Sequence, residues 1–174
     1  MNPLPQQAWI ERTWSFEFPV SLFPSLIERL RGTPARLEES LAGIARKHLV
    51  QADQGAWSLQ RHAGHLLDLE TLFQGRYEEF MAGEEQLRAA DMSNAATEAA
   101  DHDGPELGEL LTEFRRVRHS YIAKLDALQP SDFERRALHP RLQTPMRLVD
   151  MCMFHADHDD HHLAIIQALK IALA

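Results

Sequence analysis

The chain has 174 residues, and 44% hydrophobic content can bury the core of one globular domain, which excludes a disordered chain. A net charge of −8 argues against a nucleic-acid binder held by phosphate contacts, and a single cysteine, Cys152, excludes a disulfide framework and fits a reducing cytoplasm. Residues 1–20 show no basic start followed by an apolar run, so no signal peptide is expected, and Leu163–Ala174 is too short and too polar to span a bilayer.

In chain order, Met1–Pro19 carries Pro3, Pro5 and Pro19 among Trp9, Trp14, Phe16 and Phe18, and reads as an irregular arm laid on the body. From Val20, the residues Leu22, Phe23, Leu26, Ile27 and Leu30 recur at helical spacing. Gly32-Thr33-Pro34 predicts an interruption, with Thr33 capping a new or kinked helix that runs from Pro34 to about His48. Ser58 caps a second long helix over 58–82, and Gly83 ends it. Residues 84–104 are Ala-rich and acidic, and predict a long loop with room for one short helix. Pro105 opens a third helix to about Leu128. Residues 131–143 then connect to a fourth, which starts at Thr144-Pro145 and runs close to the C-terminus. No segment alternates with period two long enough to predict a strand. The expectation is an all-α four-helix bundle, one domain over 1–174, with residues 1–19 as an irregular aromatic arm.

Ten histidines are present, and four of them fall in 155–162. On a helical wheel, Leu148, Met151, Ile166 and Leu169 lie within about 40° of His162, and so do His155 and His158. His161 sits on the margin of that stripe, Asp159 flanks it, and Asp157 and Asp160 face solvent. Three neutral imidazoles in an apolar stripe are hard to satisfy with core hydrogen bonds alone. His158 and His162 are one turn apart on one face, a spacing that seats a metal with two imidazoles. Asp159 stands where a helical metalloprotease carries Glu, so protease chemistry does not follow. A third ligand is required from a facing helix, and the second helix offers His62 and His65; spacing leaves both open. Asp68 is placed to orient His65 from behind. A lone inward histidine is ordinarily a hydrogen-bonded core residue, the reading given to His48 and His119. His102 reads as a loop residue and His139 as a turn residue. Cys152 reads as a small buried hydrophobe. Arg115, Arg116 and Arg118 lie among Glu109, Glu113 and Asp126, which reads as a solvated face.

Three stretches taken together resemble the DinB/YfiT-like superfamily over most of residues 20–170. They are Arg29–Leu37, Trp57-Ser58 followed by Gly64–Glu70, and His139-Pro140 through Thr144-Pro145 to His158–His162. The resemblance implies a four-helix bundle and a three-histidine site, which falls here on His65, His158 and His162. It also implies a divalent metal, zinc or nickel, with a water-occupied position. Members include transferases that use low-molecular-weight thiols and metal-dependent hydrolases, so a small-molecule substrate, a thiol partner and a homodimer are expected. His155, Asp159 and Asp68 are the candidates for accepting a proton or orienting ligands. His155 is an inward histidine beyond the family's set. The rival readings are a metal-containing bundle without catalysis and a metal-free bundle whose histidines form an interface or pH-sensitive element.

Overall fold

The structure, a computed structural model, describes residues 7–53 and 55–173. Pro3 and Pro5 of the arm lie outside the described residues. Four long helices carry the fold: α1 (Phe23–Leu41), α3 (Leu59–Ala82), α5 (Leu107–Asp126) and α6 (Leu148–Leu173). Two short helices, α2 (Arg46–Leu49) and α4 (Ala95–Ala99), lie in the connections. α1 packs on α5 and α6, and α3 packs on the same two, so α1 and α3 occupy one diagonal of the bundle. Among the described residues no helix is long and apolar enough to cross a membrane.

Helix ends set by local chemistry fall where expected. Ser58 caps α3 by accepting from the Arg61 amide at 2.9 Å, and Gly83 ends it in the left-handed conformation. The Gly32-Thr33-Pro34 expectation is corrected: α1 runs through it without a break and stops at Leu41. Pro34 cannot donate to the Leu30 carbonyl, a loss that ordinarily breaks a helix. Arg118 Nη1 donates to that carbonyl at 2.9 Å instead. Thr33 is no cap; its hydroxyl contacts the Arg29 carbonyl and the Asp159 carboxylate. The start of the fourth helix is also corrected. Thr144–Arg147 forms strand β2, paired antiparallel with β1 (Arg136–His139), and α6 begins at Leu148. The hairpin bonds onward to the segment after α3, since Leu138 exchanges hydrogen bonds with Glu85 and Leu87. That exchange anchors the 84–104 loop beside α3 and α6.

Two apolar clusters fill the bundle. The larger lies between all four long helices and the hairpin, and Trp9, Trp14, Phe16 and Phe18 of the arm pack against it. Arg147 ties the arm down by donating to the Phe16 and Phe18 carbonyls, both at 3.0 Å. The smaller joins α1, α3, α5 and the C-terminal half of α6. Arg118 corrects the solvated-face reading of its segment: it is fully buried, whereas Arg115 and Arg116 pair near the surface with Glu38 and Glu113.

Candidate metal centre

α3 presents His62 and His65, and α6 presents His155, His158, His161 and His162; all six are buried. The packing of α3 on α6 brings three of them together. One ligand atom each from His65, His158 and His162 lies within 4.8 Å of the other two. Their ring centroids are 4.6, 4.7 and 5.4 Å apart.

The surroundings assign the proton on one of these rings and give a second ring a partner. Thr97 donates its hydroxyl proton to Asp68 Oδ2 at 2.7 Å, and His65 Nδ1 lies 3.0 Å from the same hydroxyl oxygen. With that hydroxyl proton already spent, His65 must donate from Nδ1, which leaves its Nε2 lone pair bare. Asp68 also faces His102 Nε2 at 2.8 Å, so one carboxylate gathers α3, α4 and the loop that follows α4. His162 Nδ1 lies 3.0 Å from His62 Nδ1, so one of the two rings donates to the other. His62 therefore sits behind a cluster member rather than within the trio. His158 has no such support: its Nδ1 is buried without a hydrogen-bond partner.

Burial keeps these rings neutral. It pushes His62 down to about 4, helped by His65 and His161. His65 is also held at about 4 by burial, against the pull of Asp68. His158 and His162 lie well below the ordinary imidazole range through burial and mutual repulsion. Three neutral imidazoles, one with an orphaned buried nitrogen, form a donor set that suits a borderline divalent ion. Such ions are held through lone pairs that protonation would remove.

Indole rings flank the trio. Trp57 lies 4.8 Å from the His65 ring and Trp9 lies 5.0 Å edge-on to His158. A cavity of about 250 Å³ opens against His65 and His158. Trp9 of the arm, Ala89 to Met92 of the 84–104 loop, and Phe73 and Phe154 contribute its walls.

Two of the expected proton acceptors lie elsewhere. His155 and Asp159 belong to a buried network around Arg118, which donates to Asp159 Oδ2 at 2.6 Å and to Glu70 Oε1 at 2.6 and 2.8 Å. Arg118 Nη2 stands 3.0 Å from His155 Nε2, and the His155 ring stacks on Phe73 with centroids 3.6 Å apart. Asp68 lies behind His65, as described. Cys152 is fully buried, and burial pushes its thiol up to about 12, so it supplies no thiolate nucleophile. Sequence reasoning missed Thr97, His102 and His139. Thr97 and His102 had no local signal beyond the length of their loop, and His139 lies buried at the end of β1.

Residues 29–166 match the family model of the DinB superfamily. The structure resembles that of YfiT from Bacillus subtilis, described as a probable metal-dependent hydrolase with an unusual four-helix bundle topology. The two share 21% identity over 94% of each chain, with a TM-score of 0.77, which shows the fold. A search of curated proteins finds no match.

Proposed function

The chain belongs to the DinB superfamily, and from that premise we propose that it is a metal-dependent enzyme of the hydrolase or thiol S-transferase type. His65, His158 and His162 would hold a divalent ion, zinc or nickel. The observation that carries this reading is the trio of buried, neutral imidazoles, two of which, His65 and His158, line a cavity. Held by three neutral imidazoles, such an ion would keep its full charge and would supply a lowered pKa to a water or low-molecular-weight thiol bound to it. The chain's own contributions are specific. Thr97 and Asp68 keep the proton of His65 on Nδ1, and His62 holds the His162 ring in place through an Nδ1–Nδ1 hydrogen bond. Trp9 and Trp57 limit the entry of bulk water to the imidazoles.

The test is metal analysis of protein purified without a polyhistidine tag and then offered zinc or nickel. The expected result is about one equivalent in the wild type and under about a tenth in His158→Ala. Wild-type protein that stays below a tenth overturns the metal reading. Cobalt-loaded protein separates enzyme from metal staple, because an open position lets added thiol change the visible spectrum. An unchanged spectrum sinks the catalytic reading.

A further inference from the structure

The cavity beside the trio has a second chemical pole that the metal reading does not use. Arg76, His139 and Arg141 all line it. Each carries donors that the protein leaves without an anion. Arg76 is buried, and its Nε and Nη2 both reach only the Arg88 carbonyl, at 3.1 Å. Arg141 Nη2 is buried and has no hydrogen-bond partner; its Nη1 reaches the Ile10 carbonyl at 3.5 Å. His139 is 1% exposed. Its Nδ1 accepts from the Leu142 amide at 3.2 Å, so Nε2 carries the proton, and that Nε2 is also buried without a partner.

No carboxylate forms an ion pair with Arg76 or Arg141 among the described residues, although the chain carries a net charge of −8. Glu79 lies near Arg76 but forms its ion pair with Arg88 at 2.6 Å. Asp91, the acidic residue of the lining, has its carboxylate occupied by Ser93 and the Ala95 amide. Two guanidiniums and an imidazole N–H gathered without a directly paired carboxylate are costly unless an anion completes them. Between this pole and the histidines the lining is mainly apolar, with Leu69, Leu72, Phe73, Met92 and Phe154.

We propose that Arg141, His139 and Arg76 form an anion-recognition subsite, and that the substrate is a small molecule with an apolar body and a carboxylate or phosphate head. The head binds these donors, and the apolar body lies along the cavity toward His65 and His158. This assignment rests on the proposed function for the meaning of the word substrate; the subsite itself does not depend on a metal.

Calorimetric titration of chelator-treated, metal-free protein tests it with three probes of one shape: phenylacetate, phenyl phosphate and neutral phenylacetamide. At least one anion is expected to bind about tenfold or more tightly than the amide, and which one does identifies the head group. Arg141→Gln is expected to remove that preference, and Arg141→Lys to restore part of it. Arg141 is half-buried in the hairpin turn, and thermal melting of both variants checks that they fold. Equal binding of all three probes, no binding of either anion, or an undiminished preference in Arg141→Gln overturns the subsite. Because the titration contains no metal, its failure is separate from a failure of the metal analysis.

Discussion

Arg118 shows how much one side chain can hold. It neutralises one of the two buried carboxylates, Glu70 and Asp159, faces His155, and supplies the hydrogen bond that Pro34 denies to Leu30. Burial alone would raise the Glu70 carboxyl, yet Arg118 holds it down at about 2. Replacing Arg118 by Leu leaves two buried carboxylates uncompensated and frees a helix carbonyl. The expected loss is about 3–5 kcal/mol, read from urea unfolding. A loss under about 1 kcal/mol would mean that the network is dispensable. Asp159 and Arg118 illustrate what a wheel cannot say. It placed Asp159 beside the apolar stripe, but its partner lies 41 residues away on another helix. His62 and His65 were equivalent by spacing for the same reason. Only the positions of Thr97 and His162 separate their roles.

Elements were legible where their signals are local. Ser58 and Gly83 bound α3 because a cap acts within four residues. The Gly32-Thr33-Pro34 break was misread because its remedy comes from α5, 88 residues from Leu30. The hairpin was missed because four-residue strands are too short to show a period of two. Within α3, Gly64 has a function that a helical pattern does not reveal. A Cβ there would collide with the His102 ring, so glycine lets His102 lie on α3 and reach Asp68. Gly64→Ala improves the local helix propensity but forces His102 away. The net expectation is a loss of about 1–3 kcal/mol by thermal or urea unfolding. An unchanged or raised stability would show that His102 relocates without cost.

For the whole molecule, the buried imidazoles give stability a pH dependence of definite sign. Burial, with Arg76 and Arg141 nearby, holds His139 at about 4 against an ordinary 6.5. Its folded pKa is depressed, so the folded state is favoured fully above about 6.5. That advantage is lost as pH falls toward 4, because the unfolded chain takes up the proton first. Glu70, held at about 2 against an ordinary 4.5, extends the loss below that range. The unfolding free energy of metal-free protein, from urea titrations, should fall steadily from about pH 7 to pH 4.5, by more than the roughly 2–3 kcal/mol that His139 alone contributes, because His62 and His65 are also held at about 4. A flat profile would contradict the neutral, buried placement of His139. The bundle and the α6 pairing were readable from apolar periodicity and one-turn spacing. The cavity was not, because the arm, the 84–104 loop, the hairpin, α3 and α6 meet there only in three dimensions.

Trp9 and Trp57 touch the imidazole trio, and Trp14 lies 4.9 Å from Trp9; these are all three tryptophans of the chain. The intrinsic ultraviolet emission of this protein therefore arises almost wholly at one address. Any quencher or bound chromophore seated there is reported by the native fluorophores, with no label attached.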